Sequence, residues 1–407
     1  MVSLAYANVP LFRERMDEQS TRPEDITDIG DISKLPFMDK TDLRNTYPYG
    51  LFAVPMSDVV RVHASSGTTG KPIVVGYTRE DMDVWVSTVR RALIMYGMHK
   101  GDILQNAYGY GLFTGGLGLH YGAESLGCAV VPASGGNTER QIMMLQDFGV
   151  TAISCTPSYF IHLIEEANKR GVDMKTLPLR IGIFGAEPWS EGMRSYIEAH
   201  TSLRAFDIYG LSEIAGPGVG AECDLQDGIH IFEDYYYPEI VDPETGESLP
   251  DGSEGELVLT TLSKHAMPVL RYRTHDITRI LAEPCACGRS IRRIARIGRR
   301  SDDMFIIRGV NVFPSQIEIA LMRVEESSPH YRIILDRAGD LDTVLVEVEL
   351  NEKFFSDSLA SIDAARNKMQ AAIAQITGIR IEVKIVEPNS IPRREGKAQR
   401  VLDKRKI

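Results

Sequence analysis

The sequence predicts an α/β protein in two pieces: a large, multi-layered N-terminal domain and a small α+β C-terminal domain. Three observations predict it. Up to about residue 300, short apolar runs ending in Gly, Pro or Ser alternate with helix-period segments, the pattern of layered sheet and helix. Beyond that point two strictly alternating runs enclose a helical one, as on a half-exposed sheet. The chain, at 407 residues, exceeds one ordinary domain and suits a large domain with a smaller companion.

The elements follow in order. "VVRVHA" (59–64) and "PIVVGYT" (72–78) are strand-like, so the Gly-rich stretch "SSGTTGK" (65–71) joins two strands. "DMDVWVSTVRRALIMYG" (81–97) places Trp85, Val89, Ala92, Leu93 and Tyr96 on one helical face. "CAVVPAS" (128–134), "TAISCTP" (151–157), "RIGIFGAEP" (180–188) and "RAFDIYGLSE" (204–213) read as buried strands with functional loops at their C-terminal ends. "GRRSDDM" (298–304) interrupts the apolar pattern and sets the boundary: residues 1–301 and 302–407. Past it, Val344, Val346, Val348 and Leu350 share one strand face, as do Ile379, Ile381, Val383 and Ile385. Between them Leu359, Ile362, Met369, Ile373 and Ile376 fit a helix. The last stretch, "PRREGKAQRVLDKRKI", is basic and lacks a core pattern; by composition it is a frayed, solvated tail.

Composition removes several classes of function. There are 45 basic and 56 acidic residues, a net charge of −11, so no global field draws nucleic acid. No run of eighteen apolar residues exists to span a membrane. The N-terminus has no apolar signal core, and five cysteines do not make a disulfide framework. We therefore expect a protein of the reducing cytoplasm.

"SSGTTGKP" holds the materials of a phosphate cradle: Gly for close backbone approach, hydroxyls and N–H groups as donors. It is not a Walker loop. Ser65 stands where that motif needs Gly, Pro72 follows Lys71, and strands rather than a helix flank it. A plain surface hairpin fits the composition equally well.

Other stretches bear on the choice. "NAYGYGLFTGGLGLHYGAE", "GIFGAEPW", "DIYGLSE", "YRTHD", "GRRSDDMFIIRGVNVFPSQIE" and "PRREGKAQRV" follow "SSGTTGKP" in that order. Together the seven resemble the adenylate-forming superfamily of acyl-CoA synthetases, and within it the subgroup that joins phenylacetate to coenzyme A. The resemblance runs from "LPFMDKTDLRNTYPYGLFAVP" to the C-terminal Lys motif, almost the whole chain. It implies an ATP-dependent ligase that activates an aryl acid as acyl-AMP, then passes the acyl group to coenzyme A, releasing AMP and pyrophosphate. It also implies a small domain that rotates about a hinge between the two steps.

The resemblance assigns residues. Ser65, Ser66, Gly67, Thr68, Thr69, Gly70 and Lys71 would wrap the outer phosphates of ATP, and Glu213 would hold Mg²⁺, which takes hard oxygen ligands. Tyr209 would stack on adenine, with Gly185, Ala186 and Glu187 as one wall of its pocket; Asp207, Gly210 and Arg299 would complete the nucleotide site. Asp276 would accept bonds from the ribose hydroxyls, a task for an ionised carboxylate. Tyr108 and Gly109 would line the acid pocket. Lys397 would bridge acid and α-phosphate, Asp302 would be the hinge, and Arg308, Gly309 and Asn311 would face coenzyme A. Core tyrosine, loop carboxylate and surface lysine are the ordinary readings of these residue types.

Separately, Cys285 and Cys287 form a C-x-C pair, and Cys223 and His230 lie upstream. Thiolates and imidazole are zinc ligands, and four of them would close a structural tetrahedron. Buried or reactive thiols are the alternative, and the C-x-C pair departs from the subgroup's commoner pattern. Partners expected are the small aryl acid and coenzyme A, no nucleic acid, no membrane, and a homodimer. Other members of the superfamily hand the adenylate to a carrier protein or adenylate a deazaflavin coenzyme, and both remain open.

Overall fold

The apolar runs become strands of one nine-stranded sheet. The computed structural model describes residues 1–65, 72–307, 310–338, 341–351, 354, 359–393 and 397–405. The sheet's order is Ile280–Leu281, Arg293–Ile294, Ile229–Ile231, Gly216–Glu222, Arg204–Leu211, Ile181–Gly185, Ala152–Cys155, Ile103–Asn106, Ala129–Val131. From Ala129–Val131 to Arg204–Leu211 neighbours are parallel; from there to the other edge they are antiparallel. Ile181–Gly185 is buried at every residue, which is why it reads as a continuous apolar run rather than an alternating one.

Two compact units divide the chain. The first holds residues 1–155, 177–186 and 203–296, and so the whole nine-stranded sheet. Its helix Arg79–Met95 starts at a capping box that the periodicity did not reveal: Thr78 Oγ1 accepts from Asp81 N at 3.1 Å, and Asp81 accepts from Thr78 N at 2.9 Å. The predicted face is buried, Trp85, Val89, Ala92 and Leu93 included, and Tyr96 is buried just past the last turn. Strands Arg61–Ala64 and Val74–Tyr77 pair antiparallel on either side of the Gly-rich loop. A further antiparallel set joins Tyr236–Val241, Gly255–Thr261 and Tyr272–Thr278.

The second unit holds residues 156–176, 187–202 and 297–407. Ser327–Ala338 and Leu341–Leu350 form an antiparallel hairpin; Glu382–Val386 adds parallel to the second strand and Val401–Asp403 parallel to the first. Helix Leu359–Thr377 supplies Met369 and Ile373 to a core that includes Val346, Val348, Leu350, Ile381 and Val383. The core also takes in Phe305 and Val312, which pair across the small hairpin of Phe305–Ile307 and Val310–Val312.

The basic C-terminal stretch is not a frayed tail. Arg393 makes a bidentate pair with buried Glu349, at 2.9 and 2.8 Å, and Ile391 N donates to the same carboxylate at 2.8 Å. Arg400 donates to Pro329 O and lies 4.3 Å from the Tyr331 ring centroid, and Val401–Asp403 joins the sheet. The strand is three residues long, too short for alternation to reveal, and its anchors are arginines.

Candidate active site

Several of the residues assigned to the nucleotide, Gly185, Ala186, Tyr209 and Gly210, gather at the carboxyl ends of parallel strands, where open α/β sheets bind ligands. Ile181–Gly185 and Arg204–Leu211 are neighbours, with Gly185 opposite Ile208, so Gly185, Ala186, Tyr209 and Gly210 converge. A Cβ on Gly210 would stand 1.8 Å from Gly216 O; only Gly lets the chain double back here to begin Gly216–Glu222. The turn between carries Ser212 and Glu213. Tyr209 Oη donates to Asp276 at 2.6 Å, so the residues assigned to base and ribose already touch. Asp276 is buried, and its own N–H donates to Thr274 Oγ1 at 3.1 Å. Asp207 lies 3.5 Å from Arg296, which is 3.7 Å from Glu222 as well.

Glu213 is buried, with Tyr272 Oη at a long 3.5 Å from its carboxylate. The turn that carries it is held at three residues. Lys264 Nζ donates to Glu213 O at 2.7 Å, Tyr77 Oη donates to Ala215 O at 3.0 Å, and Thr114 Oγ1 is 3.2 Å from Ser212 Oγ. Burial pulls the Lys264 ammonium down to about 8, against Asp81 and Glu213, which raise it. Sequence reasoning missed Lys264 and Tyr77: "TLSKHAMP" carries no motif, and its one signal is a lysine in a largely apolar stretch.

The aryl-pocket stretch is wired to the sheet through Asn106, whose Nδ2 donates to Gly116 O at 2.7 Å and to Tyr110 Oη at 2.8 Å. Tyr108 Oη donates to Cys155 O at 2.7 Å, so its hydroxyl is already partnered and its ring is what it offers a guest. Gly116 is required: a Cβ there would meet Gly109 O at 2.4 Å. Among the phosphate-loop residues Ser65 is described; its N–H donates to Ile73 O at 2.9 Å. Ser66, Gly67, Thr68, Thr69, Gly70 and Lys71, with Arg308 and Gly309 of the coenzyme A set, lie outside the described residues.

In the second unit a cavity of about 460 Å³ brings together Glu187, Arg299, Asp302 and Ala398. Glu187 accepts from Ala398 N at 2.8 Å through one oxygen and from Ser158 N at 2.9 Å through the other. Lys397, next in the chain to Ala398, is exposed. Arg299 sits 5.2 Å from the Phe313 ring centroid, and Asp302 accepts from Arg300 at 2.9 and 3.1 Å. Asn311 is exposed, opposite Ile306 in the small hairpin.

The structure brings the four cysteine and histidine candidates together. Ligand atoms of Cys223, His230, Cys285 and Cys287 all lie within 4.8 Å of one another. Cys223 and Cys285 Sγ are 3.8 Å apart, and Cys287 Sγ is 3.6 Å from His230 Nε2. A tetrahedral ion with bonds of about 2.0–2.3 Å sets its ligand atoms roughly 3.4–3.8 Å apart, so these four fit one. Burial pushes Cys223 up to about 12. For Cys287 burial acts the same way but is outweighed, chiefly by hydrogen bonds from Arg289, and the thiol stands at about 7. A buried carboxylate such as Glu213, backed by hydroxyls, equally suits a hard cation.

Comparison with known proteins follows the same lines. The AMP-binding enzyme family model matches residues 10–263, and the AMP-binding enzyme C-terminal domain matches residues 309–405. The phenylacetate-coenzyme A ligase of Aromatoleum evansii is 52% identical over 404 residues, covering 98% of this chain and 91% of that protein. That of Escherichia coli (strain K12) is 50% identical over 405 residues, covering 99% and 92%. A crystal structure of 2-hydroxyisobutyryl-CoA ligase in the postadenylation state with an acyl-AMP superposes with a TM-score of 0.93 at 29% identity, over 99% of this chain and 87% of that one. The same enzyme with coenzyme A in the thioesterification state gives 0.72 at 30% identity, with the same coverage. Among the described residues no helix is long and apolar enough to cross a membrane.

Proposed function

Because the chain belongs to the AMP-binding enzymes, in the phenylacetate–coenzyme A ligase family, we propose that it activates phenylacetate with ATP and transfers the acyl group to coenzyme A. The observation that carries the reading is the placing of Gly185 and Tyr209 on adjacent parallel strands, with Asp276 of strand Tyr272–Thr278 bonded to Tyr209 and Glu213 on the turn that follows Arg204–Leu211. In the first step the acid's carboxylate attacks the α-phosphorus of ATP, and the bond to pyrophosphate breaks. An anion meets a polyanion, so the barrier is largely electrostatic. Lys397 supplies positive charge between carboxylate and α-phosphate, and Ser65 to Lys71 donate to the outer phosphates. Asp276 receives the ribose hydroxyls, and the Tyr209 ring lies on adenine beside Gly185, Ala186 and Glu187, with Asp207, Gly210 and Arg299 around them. Glu213 would hold Mg²⁺, and the ion's charge would offset that of the phosphate oxygens. In the second step the coenzyme A thiol attacks the acyl carbon and AMP leaves.

The same reading divides the chain at residues 301 and 302, with Asp302 as the hinge and Arg308, Gly309 and Asn311 toward coenzyme A. Tyr108 and Gly109 line the aryl pocket. Cys223, His230, Cys285 and Cys287 hold a structural zinc; four protein ligands leave no open position for catalysis. A cytoplasmic homodimer is the expected working form. The test is a panel of aryl carboxylic acids with ATP, Mg²⁺ and coenzyme A, scoring AMP and thioester together. Phenylacetate should give both in equal amount with the highest kcat/KM. AMP release without thioester would move the second step to a carrier protein or deazaflavin acceptor, and ADP release would overturn the reading.

A further inference from the structure

Lys264 is 5% exposed, and its one hydrogen bond among the described residues goes to a main-chain carbonyl, that of Glu213, at 2.7 Å. A buried ammonium is costly unless it is well paired, so it is retained where it does something apolar packing cannot. Its surroundings are ordered to present it. Asp81, whose carboxylate caps helix Arg79–Met95, also accepts from His265 N at 2.6 Å and Ala266 N at 2.9 Å, fixing the segment that follows Lys264. The ammonium lies 5.1 Å from the centroid of the Tyr77 ring, and Tyr77 is stacked on Trp85 with centroids 5.1 Å apart. Tyr77 Oη in turn donates to Ala215 O at 3.0 Å. Two buried donors thus fix the carbonyls of Glu213 and Ala215, on the turn that bears the carboxylate assigned to the cation.

We propose that Lys264, with Tyr77 beside it, is a positioning residue that preorganises the Glu213 turn for the Mg²⁺ of the nucleotide complex. It acts through the main chain of Glu213 and need not touch ATP. The proposal rests on the assignment of Glu213 to the cation. Outer partners that orient a metal ligand typically govern about 10- to 100-fold in metal affinity.

The test compares Lys264→Met, Tyr77→Phe and Glu213→Gln in the full chain. ATP affinity is measured by calorimetry with Mg²⁺ and with EDTA, alongside the Mg²⁺ dependence of ATP–pyrophosphate exchange. Lys264→Met should raise the half-saturating Mg²⁺ about tenfold or more, weaken Mg·ATP binding to match, and leave ATP affinity in EDTA and KM for the acid unchanged. Tyr77→Phe should shift the same quantities the same way by less, and it decides the matter should Lys264→Met fail to fold. An unaltered Mg²⁺ dependence in a folded variant, or equal loss of ATP affinity with and without Mg²⁺, overturns the proposal. Glu213→Gln separates the two layers. If it leaves the Mg²⁺ dependence unmoved, the cation assignment falls; if it shifts that dependence and the other two variants do not, only the role of Lys264 and Tyr77 falls.

Discussion

Glu187 commits each of its oxygens to a main-chain N–H, one at Ser158 and one at Ala398, the neighbour of Lys397. A charge-assisted hydrogen bond to a backbone N–H is among the stronger kinds, so it fixes where the lysine's own backbone lies. The sequence motif places Lys397 in a ligase; it does not say what holds it. Lys397→Ala should cut ATP–pyrophosphate exchange about a hundredfold or more, while thioester formation from supplied acyl-AMP falls far less. Equal loss of both would remove the lysine from the first step. Glu187→Ala should show the same asymmetry at smaller size, roughly tenfold, because the ammonium remains and only its placement loosens. Tyr209 and Asp276 were legible as motif members, yet their mutual bond of 2.6 Å was not, since 67 residues separate them and no local pattern encodes the approach. Lys264 was illegible for a related reason: its meaning lies wholly in the carbonyl it reaches.

At the level of elements, helices and strands with a strong period were readable and short ones were not. Helix Leu359–Thr377 and strand Leu341–Leu350 follow their apolar spacing because burial selects it. Val401–Asp403 is held by pairing and by flanking arginines, and apolar spacing is silent on both. The metal cluster lies between these cases. Cys285 and Cys287 are separated by one residue in the chain, but Cys223 and His230 reach them through the fold, with His230 in strand Ile229–Ile231, which pairs with Arg293–Ile294. Purified protein should contain about one zinc per chain, and Cys285→Ser should remove it and lower the melting temperature by roughly 5 °C or more. Metal analysis that finds none after growth with zinc would dispose of the site. The second unit should also be acid-sensitive in a defined way. Burial raises the pKa of Glu349, but Arg393 and the N–H groups of Ile391 and Asn389 outweigh it and hold the carboxyl below the usual carboxylate range. Its contribution is therefore complete above about pH 5 and is lost as pH falls through its depressed folded value. Glu349→Gln should lower stability at neutral pH and flatten its decline in acid, as followed by urea unfolding at a series of pH values.

On the scale of the whole molecule, one active site has to serve two steps with different nucleophiles. The groups assigned to those steps sit on one small scaffold. The hairpin Phe305–Ile307/Val310–Val312 packs its Phe305 and Val312 into the same core as Ile333 and Val346, and the segment with Lys397 is pinned between Glu349 and the strand Val401–Asp403. Elements that share a packed core move together, since such interiors are not continuously deformable. On the proposed reading the hairpin and the lysine would therefore move as one body, which is the logic of a hinge that gates two half-reactions. The turn Ser301–Asp303 carries Asp302, exposed and accepting from Arg300 at 2.9 and 3.1 Å, and on that reading its backbone torsion is the hinge. Asp302→Pro fixes φ near −65° and removes that freedom. Exchange of pyrophosphate should stay within about threefold of the parent, while thioester formation should fall about tenfold or more. A variant that kept both rates would place the hinge elsewhere, and one that lost both equally would mean that residue 302 supports the site rather than its motion.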